Sequence, residues 1–200
     1  MTRPPAGDRQ GCVSASDRLR ELGIELPPVA APVAAYVPAV RAGDLVFTSG
    51  QLPVVGGQLQ YRGLLGRDLT VEQGYEAARI CCLNALAAVR SVAGDLDRIE
   101  RVVKVTGWVA SAEGFTDQPK VMNGASELLA RIFGDAGRHA RAAVAANILP
   151  LGAAVELEMI VQLKSTDDVE RVAAGIEAML KRFHKKLDYK MSIPLALLRE

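Results

Sequence analysis

The sequence has little of what several large classes of protein require. Aromatic residues make up 4% of the 200 residues and the formal net charge is +1, so it lacks the stacking platforms and the basic field of a nucleic-acid binder. Its three cysteines and two histidines do not have the spacing of a zinc site. It has no apolar run of membrane-spanning length and no apolar N-terminal stretch like that of a signal peptide. We therefore expect a cytoplasmic protein that binds neither nucleic acid, membrane nor metal.

The cysteines fit a reducing compartment. Their odd number and their positions do not suggest a disulfide framework. Cys81 and Cys82 are adjacent within an apolar helical pattern, and we expect both to be buried as small hydrophobic side chains.

Length and composition predict one domain with two appendages. Half of the residues are hydrophobic, which is enough to bury a full core. Proline, glycine and charged residues dominate the N-terminus, so we expect a disordered leader over residues 1–16 and an ordered domain over residues 17–163. Residues 164–200 carry an apolar stripe at helical spacing, with acidic residues first and basic residues last, which predicts an extra C-terminal amphipathic helix. Packing on its own oligomer and binding to another protein both stay open for this helix.

The first half of the domain predicts a hairpin and a long helix. Residues 36–40 and 45–49 flank a turn at Gly43, as in a β-hairpin. Thr70 and Gln73 form a capping box, which predicts a helix that ends near Gly94.

The second half predicts a strand over residues 101–109, a helix over residues 115–133 that ends at Gly134, and two further strands. This order of elements favours an α+β fold, with a sheet that has both helices packed on one face. The other face would carry Thr106, Trp108 and Ile160 with few charges, so we expect it to be covered by self-association into a symmetric oligomer.

One late segment places charged residues in an apolar background. Side chains alternate along a strand, so Arg141 and Ala143 share one face. If Pro150 and Gly152 turn the chain into a hairpin, Arg141 lies near Glu156 on the neighbouring strand. Two interpretations stay open: a structural ion pair, or a guanidinium that binds the carboxylate of a small substrate.

Several segments together resemble the Rid (YjgF) superfamily, the reactive-intermediate deaminases. Residues 32–53, which include Tyr36 and the run Ser49-Gly50-Gln51, are similar to the opening hairpin of that family. Residues 103–106 resemble its middle strand, and residues 141–158 resemble its signature ending. The segments occur in family order, and the resemblance covers about residues 17–163.

The resemblance implies a chorismate-mutase-like (YjgF-like) protomer that forms a homotrimer, with three sites at the subunit interfaces and with neither metal nor organic cofactor. It also implies an activity: the hydrolysis of reactive 2-enamine and 2-imine acids to 2-keto acids and ammonia.

The site residues follow from the same resemblance. Arg141 matches the arginine that holds the substrate carboxylate, and Glu156 matches the acidic residue that handles water and protons. The positions that match the substrate pocket are Tyr36, Ser49, Gly50, Asn123 and Ala143. Ala143 is a departure, because many deaminases have a cysteine there.

Two other functions stay open. The protein could be a non-catalytic trimer that binds small carboxylates such as keto acids, or an assembly scaffold that presents its C-terminal helix. His139 lies close to Arg141 in sequence, and we assign it no role. The endoribonuclease description attached to the family has no support in a chain without a basic groove or a paired-histidine site.

Overall fold

A computed structural model describes residues 14–29 and 35–165, together with Met179 and Arg182, which are helical. The chain divides into two compact units, Met1–Lys164 and Ser165–Glu200. The described residues do not include residues 1–13 of the expected leader, which contain Cys12, or most of the expected C-terminal helix. Both terminal segments therefore stay predictions.

The first element is a short helix, α1, over Ala15–Glu21. The hydroxyl of Ser14 accepts a hydrogen bond from the backbone N–H of Asp17 and caps the helix. The helix thus begins two residues before the domain boundary expected at residue 17.

The remaining elements follow the expected order. They are β1 (Ala39–Ala42), β2 (Leu45–Thr48), β3 (Val54–Val55), β4 (Gln58–Leu59), α2 (Val71–Ala93), β5 (Ile99–Ala110), α3 (Gln118–Phe133), β6 (Ala140–Ala146) and β7 (Val155–Leu163). Short 3-10 turns occupy Leu96–Arg98, Gly134–Gly137 and Pro150–Gly152. The capping box of Thr70 and Gln73 and the helix ends at Gly94 and Gly134 are confirmed.

The main sheet has five strands in the order β1-β2-β7-β5-β6. Its pairs are antiparallel except for β5 and β6, which are parallel and joined by α3. A parallel pair needs such a crossover, because the chain must return to the starting end of the sheet. Strands β3 and β4 form a separate small hairpin.

Both long helices pack on one face of the sheet. Gly107 of β5 lies under α3, where a Cβ atom would overlap Met122. Gly124 of α3 lies against the backbone carbonyl of Tyr75 in α2, so the two helices are in close contact. Their buried residues and the inward side chains of the strands form one core. The expected α+β class and the placement of the helices are confirmed.

Cys81 and Cys82 are fully buried in this core, as expected. Removal from water penalises the thiolate form, which raises the pKa of Cys82 to about 12 and also raises the pKa of Cys81. Both side chains therefore act as small hydrophobic groups.

The predicted hairpin between the last two strands is wrong. Strand β5 lies between β6 and β7 and hydrogen-bonds to both of them. The turn at Pro150–Gly152 does not close a tight hairpin. Instead it carries the chain past the end of β5, with Leu151 in the left-handed region (φ 59°). The alternation of side chains along each strand was predicted correctly, but the pairing of β6 with β7 was not.

The face of the sheet opposite the helices holds apolar side chains together with charged ones. Partnered positions across the strands place Val40, Phe47, Ile160, Trp108 and Val144 on this face. Glu156, Glu158 and Lys104 share it, so it is more charged than the sequence suggested.

Candidate functional site

Arg141 lies on edge strand β6, on the side of the sheet that faces the helices. Its partner on β5 is Val105, which is fully buried in the core. The guanidinium extends to α3, where Nη1 donates to Oδ1 of Asn123 (2.9 Å) and to Oγ of Ser126 (3.0 Å). Nη2 donates to the backbone carbonyl of Pro119 (3.3 Å). Three acceptors on one helix therefore fix the position of this cation.

Helix α3 presents these acceptors because of their spacing. Pro119, Asn123 and Ser126 are four and three residues apart, so they lie on one side of the helix. The apolar residues at intervening positions, including Val121, Met122 and Leu128, are buried. The same helix thus contributes both core packing and the polar side that holds Arg141.

A cleft of about 300 Å³ opens beside this guanidinium. Its lining is basic or uncharged: Ser126, Ala130, Gly137, Arg138, His139 and Arg141. A second cleft, of about 450 Å³, is lined by three glutamates among its residues: Val71, Glu72, Tyr75, Glu76, Lys120, Asn123 and Glu127. The charge of the first cleft favours an anionic ligand, whereas that of the second opposes one.

Glu156 lies on β7 beside the segment that follows β2. Gln51 and Leu157 exchange two backbone hydrogen bonds (2.7 and 3.0 Å), which hold the two segments together. The carboxyl group of Glu156 therefore lies against Gly50, where a Cβ atom would overlap Oε1. Partial burial raises the pKa of Glu156, and the nearby charge of Glu158 raises it further.

Ser49 forms two hydrogen bonds to the segment just before β1. Its hydroxyl donates to the backbone carbonyl of Val37 (2.7 Å), and its N–H donates to the carbonyl of Pro38 (2.9 Å). Tyr36 immediately precedes the segment that Ser49 binds, and it is 49% exposed. Ser49, Gly50 and Glu156 thus lie close together, and Tyr36 is next in sequence to the bonded segment.

Arg141 and Glu156 do not meet within one protomer, contrary to the sequence prediction. Glu156 is the partner of Trp108, which projects to the open face, whereas Arg141 is the partner of Val105, which projects to the helices. The predicted site residues therefore fall in two groups, which we call the arginine half-site (Arg141, Asn123 and Ala143) and the glutamate half-site (Tyr36, Ser49, Gly50 and Glu156).

Ala143 lies two residues after Arg141 on the same face of β6. It is partly buried and packs against the main core. No thiol is present at this position, so only backbone groups and a methyl group are available there.

Two further polar residues lie around Arg141: Ser126, which was not predicted, and His139, which was assigned no role. Ser126 contacts Arg141 and also lies 3.2 Å from Nε2 of His139. Nδ1 of His139 lies 2.7 Å from the carbonyl of Gly137. Removal of the imidazole from water lowers the pKa of His139, and the charge of Arg141 lowers it further. The three-residue spacing of Asn123 and Ser126 was the signal that could have identified the serine.

Among residues 14–29 and 35–165, no group of three or more histidine, cysteine or acidic side chains is placed to hold a metal ion. In the same part of the chain, no helix is long and apolar enough to cross a membrane.

The mixed five-stranded sheet, its two helices on one face and the parallel β5–β6 pair define an α+β protein of the YjgF-like fold. The family model described as "YjgF/chorismate mutase-like, putative endoribonuclease" matches residues 16–163. The chain belongs to this family.

Several relatives resemble the chain over most of their length. "Protein TCP17" of Trypanosoma cruzi is 47% identical over 150 residues, which are 74% of this chain and 92% of that protein. A crystal structure of a protein of unknown function from Agrobacterium tumefaciens is 45% identical with a TM-score of 0.70, covering 75% of this chain and 92% of that one. A structure from Shewanella oneidensis described as a "putative endoribonuclease" is 38% identical with a TM-score of 0.73, covering 75% and 99%.

Proposed function

We propose that this protein hydrolyses reactive 2-enamine and 2-imine acids to 2-keto acids and ammonia, at sites formed between the protomers of a homotrimer. The observation that carries the proposal is the pair of half-sites. A cation in a basic cleft lies on one face of the sheet, and a carboxyl group with a raised pKa lies on the other.

Arg141 binds the substrate carboxylate in this proposal. A guanidinium forms two parallel, charge-assisted hydrogen bonds to a carboxylate, which fixes the plane of the substrate as well as its position. Arg138 and His139 line the same cleft, and no acidic side chain among the described residues does. A 2-imino acid therefore enters with its carboxylate towards β6 and its carbon–nitrogen bond towards the mouth of the cleft.

Glu156 acts on water and on the leaving nitrogen. It takes a proton from water as the oxygen bonds to carbon 2 of the imine, and the carbon–nitrogen double bond becomes a single bond with the electron pair on nitrogen. The same carboxyl group then gives this proton to nitrogen, which yields a carbinolamine with one hydroxyl and one amino group. Glu156 next takes the hydroxyl proton and passes it to the amino nitrogen, so the carbon–nitrogen bond breaks, ammonia leaves and the carbon–oxygen double bond of the keto acid forms. A 2-enamine enters the same sequence after one proton has moved from its nitrogen to carbon 3, which gives the imine. A pKa that is raised towards the working pH suits a group that must accept and return a proton.

A second copy of the chain completes the site. The glutamate half-site borders an open sheet face with exposed Val40 and Val144, a type of surface that commonly becomes an interface. A cyclic trimer brings this face of one protomer to the β6 edge of the next and forms three equivalent sites. Each site then combines Arg141 and Asn123 of one chain with Tyr36, Ser49, Gly50 and Glu156 of its neighbour.

Carboxylate binding without turnover is the second candidate, and Ala143 favours it because the position offers no thiol. Glu156→Gln separates the two functions. If the protein is an enzyme, this variant loses turnover and keeps its affinity for pyruvate, since the amide has the size of the carboxyl group but cannot accept the proton.

The direct test generates 2-aminoacrylate with a serine dehydratase and follows pyruvate formation against semicarbazide trapping. We expect acceleration by the wild type and by Arg131→Gln, and none by Arg141→Gln. Arg131 is a matched control because it is an exposed arginine of α3 that does not line the cleft. A wild-type protein that gives no acceleration at equimolar concentration contradicts the deaminase proposal, and a monomer in sedimentation contradicts the shared site.

A further inference from the structure

We propose that Ser126 and His139 are positioning residues, which form a hydrogen-bonded relay that orients the guanidinium of Arg141 for one bidentate mode of carboxylate binding. The proposal rests on the proposed function in one respect, namely that Arg141 binds the substrate carboxylate. In this proposal both residues act through Arg141.

The direction of each hydrogen bond in the relay follows from its ends. The carbonyl of Gly137 can only accept, so Nδ1 of His139, 2.7 Å away, carries the ring proton. In a neutral ring Nε2 is then an acceptor, and the hydroxyl of Ser126 donates to it over 3.2 Å. The oxygen of that hydroxyl accepts from Nη1 of Arg141 over 3.0 Å, because a guanidinium can only donate.

The surroundings of His139 keep the ring neutral. Removal of the imidazole from water lowers its pKa, the hydrogen bond to Gly137 raises it, and the charge of Arg141 lowers it again, so that the net effect is a lowered pKa. A second proton on Nε2 would also turn this nitrogen from an acceptor into a donor that points at Ser126. The relay therefore works with the Nδ1–H tautomer.

The relay determines which edge of the guanidinium is available. Nη1 has two hydrogens, and Asn123 and Ser126 accept both of them. Pro119 accepts one hydrogen of Nη2. Within the described part of the chain, the Nε–H and the second Nη2 hydrogen have no acceptor. In the proposed binding mode Pro119 accepts the Nη2 hydrogen that faces Nη1, so the remaining Nη2 hydrogen lies beside the Nε–H. These two N–H groups then form the side edge of the guanidinium, and this edge receives both oxygens of a carboxylate.

Paired variants separate positioning from folding. Ser126→Ala removes the hydroxyl, whereas Ser126→Thr keeps it. His139→Ala removes the acceptor, whereas His139→Gln places an amide oxygen close to the position of Nε2. A merely structural role would not predict that the second member of each pair restores the wild-type behaviour.

The experiment uses the full-length, 15N-labelled protein. Two-bond correlations of the imidazole identify the tautomer of His139, relaxation of the Nε–H group reports the order of Arg141, and titration with pyruvate gives the dissociation constant. We expect an unprotonated Nε2 in the wild type. We also expect a more mobile Arg141 and about tenfold weaker pyruvate binding in Ser126→Ala and His139→Ala, with Ser126→Thr and His139→Gln close to the wild type.

Two results would overturn the relay: a protonated Nε2 in the wild type, or an Arg141 side chain as ordered in Ser126→Ala as in the wild type. Both are read from the free protein, so they stand apart from catalysis. If imine hydrolysis is absent while the tautomer and the order of Arg141 behave as expected, the deaminase proposal fails and the relay stands. If Ser126→Ala does not fold, the tautomer of the wild type and the order of Arg141 in the two His139 variants still test the relay.

Discussion

The carboxyl group of Glu156 lies so close to the backbone of Gly50 that even a methyl group at position 50 would overlap Oε1. The backbone pairing of Gln51 with Leu157 holds both residues in this arrangement. The sequence run Ser49-Gly50-Gln51 therefore serves to bring a carboxylate against a bare backbone.

Gly50→Ala should displace the carboxyl group of Glu156 without unfolding the protein. Gly50 has no positive φ, so alanine fits its backbone, and the flexible glutamate is the group that must move. We expect at least about tenfold lower kcat/KM for 2-aminoacrylate, a loss of transition-state stabilisation of about 1.4 kcal/mol. Gly74→Ala is the control, since Gly74 also has no positive φ and a Cβ there would meet the side chains of Leu65 and Val121 instead of Glu156. Equal activity of the two variants would show that the position of Glu156 is unimportant.

Mixed trimers should recover activity that neither parent variant has. If Arg141 and Glu156 of one site come from different chains, a trimer assembled from Arg141→Gln and Glu156→Gln protomers contains some interfaces with both native residues. Random mixing gives about a quarter of such interfaces. Refolding the two inactive variants together should thus restore about a quarter of the wild-type rate. An inactive mixture, with trimers verified by mass spectrometry, would place both residues of a site in one chain.

His139 should make folding stability depend on pH in the acid range. Its pKa is lowered in the folded state, so the unfolded chain binds the proton more readily. The contribution of His139 to the free energy of unfolding is therefore fully present above the ordinary histidine pKa of 6.5. It is lost as the pH falls from 6.5 through the lowered pKa of His139 in the folded state. Arg141 and Arg138 line the cleft with the ring, and neither neutralises the added charge.

The measurement is the Tm between pH 7.5 and pH 5. We expect a smaller loss of Tm in His139→Gln than in the wild type, because glutamine does not titrate. Arg141→Gln removes one of the charges that lower the pKa, so its loss should be intermediate. Parallel profiles for the wild type and His139→Gln would contradict the lowered pKa.

Gly124→Ala should destabilise the fold more than Gly74→Ala. Both glycines are buried within helices, where alanine alone would gain about 1 kcal/mol. A Cβ at position 124 meets the backbone of Tyr75, which cannot rotate away, whereas one at position 74 meets the side-chain ends of Leu65 and Val121. Urea unfolding should show a loss of about 1–3 kcal/mol for Gly124→Ala and a smaller change for Gly74→Ala. The reverse order would mean that the helices separate at little cost.

The local features of the fold were predictable because they depend on neighbours in sequence. The capping box of Thr70 and Gln73 and the glycines at both helix ends use groups three or four residues apart. Strand alternation predicts that Arg141 and Ala143 share one face of β6, and the pairing of β6 with β5 agrees with this prediction.

Strand order was not predictable in the same way. Whether β6 pairs with β7 or lets β5 lie between them depends on contacts among distant segments, and the turn at Pro150–Gly152 is compatible with either path. The sequence analysis therefore predicted the alternation along each strand but misplaced Arg141 and Glu156 relative to each other. Ser126 was missed for another reason: its partner Arg141 is 15 residues away, so the three-residue spacing from Asn123 identifies the serine only once Asn123 is known to contact that arginine.

The position of β7 between β2 and β5 has a consequence for synthesis on the ribosome. This central strand is the last of the sheet to be translated, and it pairs Leu45 with Gln162 across more than half of the chain. A nascent chain that ends before Val155 would expose the unpaired edges of β2 and β5, which are the edges most prone to wrong pairing. The hairpin and both helices therefore lack their central strand until late in synthesis, and the five-stranded sheet can form only after residue 163 has left the ribosome.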